Sequence, residues 1–88
     1  MTEEEVRQFV YQRIRFITHN DVSQAPDSTV LGHGGAGMDA VAIEGMVERS
    51  NNYVRAHGGR ETIGDDDGVG EKTTLGELIE LIWKKVKS

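Results

Sequence analysis

The chain has 88 residues, a formal net charge of −5 and no cysteine. This length predicts a single domain over residues 1–88, with room for a core but hardly for a deep active-site cavity. The lack of cysteine excludes disulfides, thiolate metal sites and a cysteine nucleophile. The negative charge disfavours nucleic acid and anionic lipid as partners and favours basic protein surfaces.

The hydropathy pattern gives no sign of a membrane or export segment. No apolar run approaches the roughly 20 residues that a membrane span needs. The charged start TEEEVRQ does not resemble a signal peptide. We therefore expect a soluble, cytoplasmic protein without a membrane partner.

The first predicted helix runs from about Glu3 to Thr18. Thr2, with Glu5 three residues later, fits a capping box that starts a helix. Apolar residues then recur at helical spacing, namely Val6, Phe9, Val10, Ile14 and Ile17. We expect the helix to end near His19 and Asn20, where polar residues favour a turn.

A long connection over residues 21–38 follows, and it contains a glycine-dense stretch. Residues 31–43 read LGHGGAGMDAVAI, with four glycines within six positions. A connection of this length is unusual in a small domain and is often functional. Asp39 stands where a helix N-cap is wanted, so a second helix is predicted from Asp39 to about Ala56. The pattern predicts a loop that presents the residues at the start of this helix.

The last third of the chain contains a polar loop and the most strongly amphipathic helix. Residues 60–72 are expected to hold at most one short helical turn. Thr74 with Glu77 forms a second capping box, and an apolar stripe follows it, made of Leu75, Leu78, Ile79, Ile82, Trp83 and Val86. Since no segment alternates as a strand does, we predict an all-α fold. Three main helices and a short one would form a small four-helix bundle with a long first loop.

Three patterns point to chemistry, and each lacks the context that the chemistry requires. Gly32, Gly34 and Gly37 match the G-x-G-x-x-G of dinucleotide sites, but that fingerprint follows a strand in a βαβ unit. The run Asp65–Asp67 lacks the alternating acidic positions of a calcium loop. The three histidines are far apart, and no nucleophile–base pair is visible. We therefore expect neither a metal centre nor catalysis by this chain alone.

Several motifs resemble, in order and spacing, those of the acyl and peptidyl carrier proteins. Residues 26–31 read PDSTVL, like the Pro-Asp-Ser/Thr turn and apolar pin of that family. Residues 37–41 read GMDAV, like its Gly-x-Asp-Ser-Leu/Val/Met motif, and residues 71–77 read EKTTLGE, like the start of its last helix. The resemblance covers most of the chain. It implies a four-helix bundle that shuttles thioester-bound acyl or aminoacyl groups on a 4′-phosphopantetheine arm, in fatty-acid, polyketide or nonribosomal peptide-type biosynthesis.

The chain departs from this family at the attachment position. The family's serine after the aspartate carries the arm, whereas here Asp39 is followed by Ala40, which has no hydroxyl. Two explanations are open, and we prefer the first. Either a serine was replaced to keep a carrier unmodified, or a natural carrier-like protein has lost the arm and acts by docking alone. A rival, gapless register from Pro26 puts Gly37 at the serine position, so neither register supplies a serine.

The resemblance makes the second helix the docking surface for partner enzymes. The docking residues it implies are Met38, Val41, Glu44 and Glu48. The implied partners are a phosphopantetheinyl transferase and acyl- or aminoacyl-transferring enzymes, which a monomeric shuttle would visit in turn. The glycines would let a partner's backbone come close. Arg49 and Arg55 weaken the match to a fatty-acid-synthase partner, because this helix is usually more acidic in the family.

Two other functions stay open. An arm-less helical adaptor would dock a basic partner protein independently of residue 40. A small regulatory domain would bind a divalent cation through Asp65–Asp67 and would show a calcium-dependent change in stability.

Overall fold

The computed structural model describes all 88 residues and contains three α-helices and no β-strand. The helices are α1 (Glu3–Thr18), α2 (Ala40–Ala56) and α3 (Leu75–Val86). The prediction of an all-α fold is confirmed, and the three main helices lie where the sequence placed them. The only strand-like pairing is one isolated bridge between Val30 and Thr74.

The expected fourth, short helix does not form as an α-helix. A single 3-10 turn, Asp65–Asp67, stands in its place. The carboxylate of Asp67 accepts the Gly64 N–H at 2.9 Å, which closes the turn on itself. Gly68 follows with a φ of 67°, a left-handed conformation that ends a helical segment. The glycines on either side therefore limit this segment to one turn.

The helix starts depend on side-chain caps, and the two predicted capping boxes differ. At α3 the box is reciprocal, since Thr74 Oγ1 accepts the Glu77 N–H at 3.2 Å and Glu77 Oε1 accepts the Thr74 N–H at 2.9 Å. At α1 only half of the box forms. Thr2 Oγ1 accepts the Glu5 N–H at 3.3 Å, while the Glu5 carboxylate lies near the Thr2 hydroxyl instead of its backbone. α3 therefore has the more completely satisfied start.

One apolar core lies between the three helices and takes side chains from the connections as well. α1 and α3 contribute their predicted stripes, in part at the edge of the core, and α2 contributes Ile43, Met46 and Val54. Leu31, Ala36, Met38 and Ile63 contribute from the connections. Tyr11 is buried although the stripe of α1 did not predict it. Its hydroxyl accepts a hydrogen bond from the Arg7 guanidinium at 2.8 Å, which satisfies the polar end of a largely buried ring.

An ion pair links α1 to the long connection and to the start of α3. The Arg7 guanidinium donates to the two carboxylate oxygens of Asp27 at 2.6 and 2.8 Å. The backbone oxygen of Asp27 also accepts the Gly76 N–H at 3.0 Å. The hydrogen bonds from Arg7 hold the pKa of Asp27 below its usual range. Asp27 is thus a junction between three parts of the fold.

Gly45 lies inside α2 and offers a site for stabilisation. A methyl group at this position would meet no atom within 4 Å outside the local helix backbone. We expect Gly45→Ala to raise the free energy of unfolding by about 0.5–1 kcal/mol, because glycine is a poor helix former. Urea unfolding measures the change. The matched control is Gly76→Ala in α3, where the new methyl carbon would lie 3.0 Å from the Asp27 side chain. This variant should gain less stability. An equal gain at both sites would contradict this explanation.

The Arg7–Asp27 pair predicts a specific pH dependence. We expect Asp27→Asn to lower the free energy of unfolding by up to about 1 kcal/mol at neutral pH, since the Asp27 side chain is half exposed. Because the pKa of Asp27 is lowered in the folded state, the stabilisation is present above the ordinary aspartate pKa of about 3.9. It is lost as the pH falls through the folded-state pKa. Urea unfolding across this range should show the two proteins converging in acid. A difference that does not change with pH would mean that asparagine disturbs the structure in another way.

Candidate functional site

The connection before α2 is held against the segment before α3 by backbone hydrogen bonds. Residues 27–32 pair in this way with residues 71–76, and we call the pairing the clasp. Two bonds run from the connection, namely Leu31 N–H to Thr73 O at 2.8 Å and Gly32 N–H to Glu71 O at 3.0 Å. Two run back to it, namely Leu75 N–H to Thr29 O at 2.9 Å and Gly76 N–H to Asp27 O at 3.0 Å. The clasp therefore fixes the chain that leads into α2 on the start of α3.

The glycine loop after the clasp folds back on it and points the chain into α2. The Ala36 N–H donates to Val30 O at 2.9 Å, and the Met38 N–H donates to Leu31 O at 3.0 Å. Gly34 and Gly37 each have a φ of 84°, which favours glycine at these turns. Leu31 before the tip of the loop is buried, and so are Ala36 and Met38 after it, so the loop is anchored in the core on both sides of its tip.

Two other glycines in this loop are required by packing inside the protein. A Cβ at Gly32 would lie 2.5 Å from the Glu71 Cβ, and one at Gly35 would lie 2.0 Å from the Val30 carbonyl oxygen. Neither position has room for a side chain. We expected the glycines to let a partner's backbone come close. At Gly32 and Gly35 it is instead another part of the same chain that comes close.

Residue 40 is the exposed first residue of α2. Asp39 caps the helix, because its Oδ1 accepts the Ala42 N–H at 2.8 Å. Ala40 follows this cap and is exposed, and the first turn of α2 contains no acidic residue. The unpaired N–H groups and the positive dipole end of a helix favour a nearby anion. The surroundings of residue 40 thus suit a phosphate ester, although alanine cannot form one.

The rival attachment position, Gly37, lies outside the helix. It precedes Asp39 by two residues and has a φ of 84°. A serine there would have to adopt a left-handed conformation that L side chains rarely take. Gly37 is therefore the less suitable position for a serine.

The predicted docking residues do not all share one surface. Val41 is 75 % exposed, and Glu44 and Glu48 are exposed along the same helix. Met38 is only 1 % exposed, because it lies in the core at the end of the glycine loop. A docking role for Met38 does not fit this structure, and the available surface is formed by Val41, Glu44 and Glu48.

A cleft of about 680 Å³ begins at Ala40 and runs between α2 and residues 63–71. We call it the α2 cleft. Asn51 joins its two walls, since its amide donates to Ile63 O at 3.1 Å and accepts the Ile63 N–H at 2.7 Å. The sequence did not predict this cleft. The only signal was Ile63, an apolar residue in a polar segment, which did not show where on α2 the segment would attach.

The acidic run in the loop has a structural role at Asp67. Lys85 Nζ lies 3.4 Å from the Asp67 carboxylate and 3.9 Å from that of Glu61. The Gly64 N–H, and to a smaller extent Lys85, lowers the pKa of Asp67. No group of three or more histidine or acidic side chains is arranged to hold a metal ion. Asp65–Asp67 therefore do not converge on one point, as ligands of a cation would.

Comparison with known proteins adds no relative. No protein-family model matches the chain, and neither a curated protein nor a solved structure matches it. None of the three helices combines the length and the apolar composition needed to cross a bilayer.

The close packing of Gly35 can be tested by adding one methyl group. We expect Gly35→Ala to lower the free energy of unfolding by about 1–3 kcal/mol, because the methyl carbon would overlap the Val30 carbonyl and force the loop to move. The matched control is Gly70→Ala, where no atom lies within 4 Å of the added methyl, and no loss is expected. Urea unfolding of both variants checks this. Equal stability of the two variants would show that the loop is not packed as described.

Proposed function

We propose that this chain is an acyl or aminoacyl carrier protein in an arm-less form, with residue 40 at the attachment position. The observation that carries the proposal is the placement of that residue. It is exposed, it opens α2 directly after the Asp39 cap, and a loop anchored by the clasp leads to it. A carrier needs this combination, since its attachment residue must be reachable by enzymes and yet be held in a defined position.

The chemistry of arm attachment suits a residue at the start of a helix. In a form with serine at residue 40, the hydroxyl oxygen would attack a phosphorus of the coenzyme A pyrophosphate. A new P–O ester bond would form, the bond to adenosine 3′,5′-bisphosphate would break, and the hydroxyl proton would pass to the transferase. The resulting phosphodiester is an anion beside the N-terminus of α2, where helix N–H groups stabilise negative charge. The thiol of the arm would then carry the acyl or aminoacyl group as a thioester.

The architecture supports the proposal in its order of elements. We propose a carrier-type bundle in which the 3-10 turn Asp65–Asp67 takes the place of a short helix. The long connection, the glycine loop and the capped start of α3 follow in the order that the family resemblance requires. The arm would be free to enter the α2 cleft, which begins at the attachment position.

The proposed partners are a phosphopantetheinyl transferase and the enzymes that load and use the thioester. Val41, Glu44 and Glu48 are the proposed docking surface, because they are exposed and lie within eight residues of residue 40 on α2. A transferase with a basic face would be attracted to these carboxylates. We propose a cytoplasmic monomer, which suits a shuttle that meets several enzymes.

The proposal is tested by restoring the hydroxyl. We expect Ala40→Ser, incubated with coenzyme A and a broad-specificity phosphopantetheinyl transferase, to gain the mass of one phosphopantetheine, mapped to residue 40. The chain with Ala40 should gain nothing, because it lacks the nucleophile. Intact mass spectrometry followed by peptide mapping measures both.

The register is tested by a second variant, Gly37→Ser. We expect no modification, since residue 37 lies outside the helix in a left-handed conformation. Modification of Gly37→Ser alone would transfer the carrier function to the rival register. If neither folded variant is modified while a control carrier is, the carrier function is wrong.

A second candidate function is an arm-less adaptor, and Ala40 itself favours it. A docking protein needs no hydroxyl at residue 40, and the exposed Val41 between carboxylates offers an apolar contact with acidic surroundings. The adaptor requires that a basic partner bind the chain with Ala40 as tightly as the Ala40→Ser variant. Calorimetric titration of both forms with that partner distinguishes the two functions.

A further inference from the structure

Phe16, near the end of α1, is a large apolar side chain that takes no part in the core. It is 74 % exposed, as fully as Val41 on the proposed docking surface. The charge around the two differs, because Val41 has carboxylates near it, whereas residues 6–20 around Phe16 hold three arginines and no aspartate or glutamate. One exposed apolar side chain is common on protein surfaces. The cations beside Phe16 distinguish it.

The first of these cations is Arg13, which stacks on the Phe16 ring. The central carbon of its guanidinium lies 5.0 Å from the ring centroid. Stacking uses the flat face of the guanidinium, whereas its N–H donors lie in the plane of the group and stay free. Arg13 belongs to none of the ion pairs that form in the protein. The contact therefore holds an unpaired cation against an exposed ring, with donors available to a ligand.

The helices α1 and α2 pack in antiparallel directions. The ring of Phe9 stacks on that of Tyr53 near the end of α2, with centroids 4.1 Å apart. The amide of Asn20, just after α1, donates to Ala36 O, just before α2, at 3.5 Å. The end of α1 therefore lies beside the start of α2.

This packing brings a second arginine to the same side of the protein. Arg13 is one turn from Phe9 toward the end of α1, and Arg49 is one turn from Tyr53 toward the start of α2. Residues four apart share a helix face, so the two arginines lie on neighbouring faces of the two helices. Arg49 is exposed and also belongs to no ion pair. We call Arg13, Phe16 and Arg49 the arginine–phenylalanine patch.

The charge of this patch is not balanced by its surroundings. The nearest acidic residue on this face of α1 is Glu5, eight residues before Arg13, or about 12 Å along the helix. Glu44 and Glu48 lie on the side of α2 that lines the α2 cleft. The helix dipole does not account for the cations, since it acts in the last turn. Arg13 precedes the last turn of α1, and Arg49 lies inside α2.

We propose that the arginine–phenylalanine patch binds an acidic protein segment, in which carboxylates flank an aromatic or aliphatic side chain. The apolar side chain would cover Phe16, and the carboxylates would accept hydrogen bonds from Arg13 and Arg49. This preference is opposite to that of the docking surface at Val41, which favours a basic partner. The chain would thus have two surfaces for partners of opposite charge. The inference does not depend on the carrier function.

Other anionic partners suit the patch less well. A helix binds an anionic membrane through a broad apolar face, but the apolar face of α1 lies in the core, and Phe16 is the one large apolar side chain that α1 exposes. A lipid surface or a nucleic acid is extended and would also meet the rest of a protein whose net charge is −5. A short acidic segment contacts the patch alone, which favours a protein partner.

The preference is measured on the whole chain with three synthetic peptides of equal length. The ¹⁵N-labelled protein is titrated at low salt with acetyl-EELFLEE-amide, acetyl-EESSSEE-amide and acetyl-KKLFLKK-amide, and the amide signals of Arg13, Phe16 and Arg49 are followed by NMR. We expect the first peptide to shift these signals saturably, with a dissociation constant about three- to tenfold below that of the second. The third should not shift them. Shifts caused by the basic peptide, equal affinities of the two acidic peptides, or no saturable shift at the patch would overturn the proposal.

Phosphatidylserine vesicles and a thymidine hexanucleotide test the other anions in the same way. We expect neither to shift the patch signals at the concentration of carboxylate that saturates binding of the acidic apolar peptide. Tighter binding of the vesicles or of the oligonucleotide would overturn the assignment to a protein partner and would assign the patch to a membrane or to a nucleic acid.

The variant Phe16→Ala separates binding from folding. Because the ring is largely exposed, we expect the urea midpoint of unfolding to stay unchanged. The affinity for the acidic apolar peptide should fall by about three- to tenfold, because the apolar contact is lost. A lower midpoint with unchanged affinity would mean that the ring supports the fold, and it would overturn the proposal.

Two charge-matched variants separate the patch from the other basic residues. Arg13→Gln with Arg49→Gln removes both cations of the patch, and we expect the affinity for the acidic apolar peptide to fall by about five- to twentyfold. Arg55→Gln with Arg60→Gln removes the same charge from exposed residues elsewhere and should leave the affinity within about twofold. Equal losses in the two variants would mean unspecific attraction and would overturn the proposal.

Discussion

The clasp between residues 27–32 and residues 71–76 is the constraint on which the site depends. It joins two stretches that lie far apart in the chain through four backbone hydrogen bonds, and the Arg7–Asp27 pair ties it to α1. Buried backbone groups that found no partner here would each cost a large part of a small domain's stability. The clasp satisfies them and at the same time sets where α2 begins. The exposed position of residue 40 is therefore a consequence of packing elsewhere in the chain.

The clasp also explains why this loop is rich in glycine and why the α2 cleft lies beside residue 40. Gly32 and Gly35 permit contacts with Glu71 and Val30 that any side chain would prevent. Glu71 also lines the α2 cleft. At the other end of this wall, Asn51 of α2 binds the backbone of Ile63. These contacts thus place the proposed attachment residue and the α2 cleft next to each other. A protein that presents a tethered group needs both, which is the physical basis of the proposed carrier function.

Much of the fold followed from local sequence signals, and much of the site did not. The caps at Thr2, Asp39 and Thr74, together with the apolar stripes of α1 and α3, predict all three helices, since these signals act within a few residues. Met38 was expected on the docking surface but lies in the core, because the sequence of a loop has no periodicity that shows which way a side chain faces. The α2 cleft and the clasp join residues 12 or more positions apart, and no local pattern encodes such pairings. Gly32 and Gly35 stood out as glycines, but the atoms that they accommodate appear only once the chain is folded.

Amide hydrogen exchange at single-residue resolution tests the central claim most directly, because it reports the stability of each backbone hydrogen bond. We predict that the amides of Leu31, Met38 and Leu75 exchange as slowly as those in the middle of α1 and α3. This result would show that the clasp and the start of α2 open only with the whole domain. Fast exchange of these three amides in a protein whose helices stay protected would contradict the account. The glycine loop would then be a mobile connection, and residue 40 would have no fixed position.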